Sequence, residues 1–164
     1  MRKMNLITPA NLSAAWAAAL ALAVALPVSA QTGQPAQTAA KSAPTPQVTE
    51  ATDAATKSAT TWLRQVDGGK YPESWDQASK GFRDEVARND WTAALTSLRT
   101  PLGAPTTRTL KSAQLTHELP NAPAGEYVVI QFDTAFEKKP GSVETVVAVR
   151  DADRAWRVTG YFIK

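Results

Sequence analysis

Partway along this chain the spacing of its apolar residues changes from helical to alternating, and that change constrains the fold more than any other feature. In the first stretch, Ala51, Ala55, Ala59, Trp62, Leu63 and Val66 recur at three- and four-residue intervals, which puts them on one face of a helix. Thr49 is the expected cap, and Asp67-Gly68-Gly69 the stop. A short second helix over residues 72–79 is predicted to bury Trp75, and a third helical segment runs over residues 82–87. Asn89-Asp90 is then expected to cap a helix carrying Trp91, Leu95 and Leu98, closed by Pro101-Leu102-Gly103.

Beyond residue 106 the period is two. Residues 107–118 alternate loosely and hold few large apolar groups, which suits an edge strand. In residues 127–136 the set Val128, Ile130 and Phe132 alternates against Tyr127, Val129 and Gln131. Strands over residues 143–150 and 156–163 follow. Strict alternation in the last puts Trp156, Val158 and Phe162 on one face and Tyr161 and Ile163 on the other. The connections, Leu119-Pro120-Asn121 through Gly125, then Lys139-Pro140-Gly141, then Asp151-Ala152-Asp153, are turn-forming and short enough for antiparallel neighbours. Helices followed by a strand meander predict an α+β domain, with three or four helices packed on a four-stranded antiparallel sheet.

Ahead of this domain, from about residue 48, stand two segments of different character. Arg2 and Lys3 precede an apolar run over residues 12–26, broken only by Ser13 and Trp16, and Pro27 leads into the small residues Val28-Ser29-Ala30. A charged start, a short apolar run and a small-residue site make a secretory signal, with cleavage expected between Ala30 and Gln31. The run is shorter than the roughly 20 residues a membrane span needs, so no stable membrane anchor is expected after cleavage. Residues 31–47 are rich in Gln, Thr, Ala and Pro, carry one charge at Lys41 and lack large apolar groups. Such a segment buries too little surface to offset its ordering entropy and reads as a disordered linker.

Charge and cysteine content narrow the functional classes. The 18 basic residues face 15 acidic ones, and the signal takes Arg2 and Lys3 with it, so the remaining chain is close to neutral. With no basic cluster either, nucleic acid is not an expected partner. The absence of cysteine removes disulfides and thiolate chemistry. His117 is the only histidine, so a histidine-based metal site or Ser-His-acid triad has little to build on, and no cofactor is expected. Ser74 and Ser112 lack the Gly-x-Ser-x-Gly context of a nucleophile elbow. Trp62, Trp75, Trp91 and Trp156 read as core aromatics before they read as a ligand site. Glu144 and Arg150 share one strand face, with Arg108, Arg99 and Arg157 as possible partners. The arrangement reads as a solvated or half-buried ion pair that fixes sheet register, or else as an anion-recognising arginine at a pocket mouth.

The ordered punctuation Trp62-Leu63, Asp67, Gly69, Tyr71, Ser74-Trp75, Phe82, Trp91, Arg99, Pro101-Leu102-Gly103 and Arg108 resembles the domain of unknown function 4019 family. Gly125-Glu126-Tyr127, Glu144-Thr145, Trp156-Arg157-Val158 and Gly160-Tyr161 continue the match to the end of the chain. The resemblance implies a small exported bacterial protein and brings no catalytic residue. Its layout is similar to the cone-shaped folds of nuclear transport factor 2 and the cystatins, an analogy of fold alone. Some enzymes of such folds pair a buried acid with a tyrosine inside the cone, which makes Asp133 with Tyr127 and Tyr161 candidates here. The expected function is a non-enzymatic binding or interaction module, periplasmic or secreted, with a protein or small-molecule partner. A small acid-base hydrolase or isomerase is the alternative.

Overall fold

A computed structural model describes residues 44–164; the expected signal sequence, the expected cleavage between Ala30 and Gln31 and most of the expected linker lie outside the described residues. Four helices precede four strands: α1 (Pro46–Asp67), α2 (Tyr71–Asp76), α3 (Lys80–Glu85), α4 (Arg88–Arg99), β1 (Pro105–Thr116), β2 (Tyr127–Phe136), β3 (Lys139–Arg150) and β4 (Trp156–Ile163). The strands form one antiparallel sheet in the order β1-β2-β3-β4, and α1 packs across all four. Among the described residues no helix is long and apolar enough to cross a membrane.

Helix α1 buries the stripe read from the sequence, Ala55, Ala59, Trp62, Leu63 and Val66. It begins earlier than the Thr49 cap implies: Thr45 is the N-cap and Pro46 the first residue, because proline's fixed φ suits a first turn whose N–H groups have no helical acceptor. Its far end is a Schellman motif, with Lys70 N–H donating to Gln65 O and Gly69 N–H to Val66 O. Gly69 takes φ +70°, the left-handed conformation that a β-carbon disfavours. Helix α4 likewise starts before Asn89-Asp90: its N-cap is Ala87, so Asp90 sits in the first turn, where a negative charge meets the positive helix end.

Three tryptophans close the helical layer. Trp62 lies 6.0 Å from Trp91 and 5.5 Å from Tyr161, and Phe82 meets Trp91 edge-on at 5.0 Å. Their indole N–H groups need acceptors once buried. Trp62 Nε1 donates to Ser74 O, Trp91 Nε1 to Ser74 Oγ, and Trp75 Nε1 to Val86 O. Ser74 is fully buried, and its place is that of a hydrogen-bond hub between helices.

The sheet departs from strict alternation at bulges, and these decide which side chains face the helices. On β4, Gly160 pairs with Val147 and Val158 with Ala148, leaving Thr159 as an extra residue. The bulge reverses the phase, so Val158 and Tyr161 both turn inward and are buried, while Phe162 turns outward and is 59% exposed. This corrects the alternation that grouped Phe162 with Trp156 and Val158. On β1, Lys111 is the extra residue between Leu110 and Ser112, which keeps Ala113 and Leu115 opposite the inward-facing Ile130 and Val128. The loose pattern of that strand is the trace of this bulge. The β2–β3 turn is Glu137-Lys138, and Pro140 and Gly141 belong to β3 instead of the connection. They stand opposite Ala135 in a third bulge, with Gly141 at φ +75°. Strand β4 ends opposite Glu144, so β3 is an edge at Pro140 and the missing proline donor leaves no ladder bond unmade.

Candidate functional site

Six side chains from six elements converge beneath the carboxy-terminal ends of α1 and α4. Asp67 is the last residue of α1 and Arg99 the last of α4; Arg108, Thr134, Glu144 and Tyr161 come from β1, β2, β3 and β4 in turn. Glu144 is fully buried, Thr134, Arg99 and Tyr161 nearly so. The Arg108 and Asp67 side chains, 16% and 20% exposed, form the rim.

The two carboxylates are bridged twice. Arg99 donates from Nη2 to Asp67 Oδ1 at 2.8 Å and from Nη1 to Glu144 Oε1 at 3.2 Å. Arg108 donates from Nε to Glu144 Oε2 and from Nη1 to Asp67 Oδ2, each at 2.6 Å. Its Nη2 lies between the acids, 3.0 Å from Asp67 Oδ1 and 3.2 Å from Glu144 Oε1. Thr134 donates to Glu144 Oε2 at 2.7 Å, and the Tyr161 hydroxyl donates to Oε1 at 2.5 Å while accepting from Arg99 Nη1 at 2.9 Å. The Phe136 ring lies 4.8 Å from the Arg99 guanidinium carbon, a cation–π contact.

The electrostatics follow from burial and partner. Burial works against charge on both arginines, but hydrogen bonds and Coulomb attraction outweigh it, from Tyr161, Asp67 and Glu144 at Arg99 and from Asp67 and Glu144 at Arg108, so both pKa values are raised. Burial first, and then the Glu144 charge, hold the Tyr161 hydroxyl protonated well above the ordinary phenol range. With two arginines and two carboxylates the formal charge balances. Both Glu144 oxygens are occupied by donors from Arg99, Arg108, Thr134 and Tyr161. A general base needs a free lone pair within reach of a substrate proton, and this carboxylate is fully buried among its own donors. The arrangement clamps two helix ends to every strand.

The residues singled out in the sequence divide sharply. Glu144, Arg108 and Tyr161 meet in this cluster, and Arg99 is the partner Glu144 shares with them. Glu144 and Arg150 do lie on one strand face, but Arg150 pairs with Glu126 at 3.0 Å. A solvated or half-buried Glu144 pair is corrected to a fully buried one. Asp133 and Tyr127 face away from the helices. Asp133 is exposed and paired with Lys111 at 2.9 Å, and the Tyr127 hydroxyl donates to Pro123 O at 2.8 Å. Neither lies with Tyr161 inside the domain, because period two assigns residues 127 and 133 to the face opposite Val128 and Phe132. Sequence reasoning places Asp67 in a helix stop and assigns Thr134 no role, yet both belong to the cluster. Asp67 carried a signal, since an acid in the last turn of a helix opposes the helix dipole and calls for a cation. Thr134 simply continues the inward phase of β2.

His117 is exposed just past β1. Among the described residues no group of three His, Asp or Glu side chains is placed to hold a metal ion. Shallow grooves flank α1. One of about 320 Å³ lies between its first turns and the β3–β4 hairpin, and one of about 310 Å³ lies beside Lys57, Thr61 and Gln77.

No curated protein and no solved structure matches the chain. Residues 58–161 match a family described as "Protein of unknown function (DUF4019)", a span that takes in all six residues of the buried cluster. The chain belongs to the DUF4019 family.

Proposed function

We propose that this protein is an exported, non-enzymatic binding or interaction module. Support for the non-enzymatic part comes from one observation above all: the acid and tyrosine that meet in the interior, Glu144 and Tyr161, are saturated by Arg99, Arg108 and Thr134. Acid-base work there would first require breaking a buried, fully paired ionic cluster, at a cost of about 3–5 kcal/mol. Support for export comes from the sequence ahead of the domain, where Arg2-Lys3, the apolar run and Val28-Ser29-Ala30 have the order of a cleavable signal.

Two measurements test the reading. Amino-terminal sequencing of the protein from the extracytoplasmic fraction should begin at Gln31; an intact Met1 there would overturn the cleavage. A thermal-shift screen of the purified chain against small metabolites, with in-cell cross-linking alongside, should give a saturable ligand or a defined adduct, because a binder stabilises the fold by mass action. Turnover of a screened compound that Glu144→Gln abolishes would establish an enzyme instead, and a flat screen with no adduct would overturn the binding role.

A further inference from the structure

The groove between the first turns of α1 and the β3–β4 hairpin carries a charged side chain that the fold does not use, Arg154. The hairpin turn closes through Arg154 N–H donating to Asp151 O at 2.8 Å, and Arg154 itself has φ +67°. A residue with a β-carbon in that conformation costs about 1 kcal/mol or more, and turns usually place glycine or asparagine there. Nothing in the turn repays an arginine: among the described residues its guanidinium makes neither an ion pair nor a hydrogen bond, whereas its neighbours Arg150 and Arg157 are both paired. The unusual backbone is therefore combined with a free five-donor cation at the mouth of a groove.

The rest of the groove has complementary chemistry. Trp156, partly buried and opposite Arg150 on the β3–β4 ladder, supplies an aromatic wall. Ala51 and Ala54 of α1 face it with side chains too small to fill the space. Arg150 is held by Glu126, with its Nε in a long 3.4 Å contact to Arg154 O, so it supports the turn and adds positive potential. Glu50 on the helix side sets a limit, since a second negative group on a ligand would meet it. A volume of about 320 Å³ admits a metabolite-sized body.

We propose that this groove binds a small monocarboxylate with an aromatic or apolar body, its carboxylate on Arg154 and its body against Trp156. The inference rests on the binding-module reading and names its ligand class. It requires no displacement of the buried cluster, and no bond is made or broken.

Phenylacetate is a direct probe, with acetate as the anion lacking a body and phenethylamine as the same ring bearing the opposite charge. In titrations followed by NMR of the indole N–H groups, phenylacetate should give a saturable shift centred on Trp156. Acetate should bind weaker by about tenfold or more, and phenethylamine should leave the signal unmoved. The decisive variant is Arg154→Gly. Glycine relieves the left-handed backbone, so its melting temperature should equal or exceed that of the wild type, while phenylacetate affinity falls by about tenfold or more. Loss of binding without loss of stability separates recognition from a structural role. Equal binding by Arg154→Gly, equal binding by phenethylamine, or no saturable shift at millimolar phenylacetate would each overturn the proposal. A metabolite hit whose shifts map away from Trp156 would sink the groove and leave the binding module standing. Turnover of phenylacetate would keep the groove and sink the non-enzymatic reading.

Discussion

Two clusters in this molecule use the same chemistry, an arginine fork on a pair of carboxylates, and differ in where they sit. At the β3–β4 hairpin Arg157 holds Asp153 with two 2.7 Å bonds and reaches Asp151 at 3.2 Å. Under the helix ends Arg108 and Arg99 hold Asp67 and Glu144 at 2.6–3.2 Å. By distance the two are equivalent. The Asp153 side chain is 58% exposed, however, and Glu144 is fully buried. Water already solvates the first pair, so forming it gains little; the second has exchanged its water for protein donors, so losing one donor or acceptor leaves a buried charge unmet. Environment, and not bond length, sets the weight of each pair.

Substitutions break the comparison in order of size. Glu144→Ala leaves Arg99 and Arg108 facing a buried void, and should cost about 3–5 kcal/mol in chemical denaturation; a loss below about 1 kcal/mol would show that water reaches the cluster. Removing both charges should hurt less than removing one. Arg99→Met combined with Glu144→Leu leaves Arg108 paired to Asp67, and should be more stable than Glu144→Ala by about 1–2 kcal/mol. A double variant weaker than the single would mean that packing, and not charge, holds the site.

Tyr161→Phe deletes one donor to Glu144 and one acceptor for Arg99, with an expected cost of about 1–2 kcal/mol near neutral pH. It also sharpens the pH behaviour. The folded protein holds this phenol's proton more tightly than the unfolded chain does, so its contribution is complete below the ordinary phenol value near 10 and declines as pH rises above it. Wild-type melting temperature should therefore fall more steeply than that of Tyr161→Phe between about pH 10 and 11.5; parallel curves would refute the assignment.

The exposed cluster should show the smallest effect. Asp153→Asn is expected to leave the denaturation midpoint unchanged within error. The Arg157 fork nonetheless draws the Asp153 pKa down from 3.8 to about 2, so the pair's small contribution is present above pH 4 and fades as pH falls toward 2. Carboxyl NMR titration should find that pKa restored toward the ordinary value by Arg157→Gln or by high salt. Insensitivity to salt would mean that the hairpin cluster is less hydrated than its exposure implies.

Much of this was legible because period and punctuation are local properties. The α1 stripe needs only the 3.6-residue repeat, the Asp67-Gly68-Gly69 stop needs only glycine's tolerance of positive φ, and β2 needs only alternation. Legibility failed where a residue's face depends on its neighbour strand. The bulge at Thr159 is marked in β4 only by the adjacent Gly160, which does not say which way the phase turns, yet it moves Tyr161 inward and Phe162 outward. The Glu144–Tyr161 contact, 17 positions apart in sequence, depends on it. Capping failed more gently: Thr49 and Asn89 are good cap residues, but a proline first turn at Pro46 and the chain's path through Ala87 start the helices sooner.

By itself the sequence determined that this chain makes helices and then an antiparallel meander, that it carries no thiol chemistry, and which apolar side chains share a face within each element. Those outcomes follow from short-range sterics and repeat period. Only the tertiary structure decided that Asp67, Arg99, Arg108, Thr134, Glu144 and Tyr161 occupy one buried site, and that Asp133 and Tyr127 lie outside it. Their meeting depends on strand register, the bulges that shift it and the two helix ends laid over the sheet, and their energetic weight depends on the water that this packing excludes.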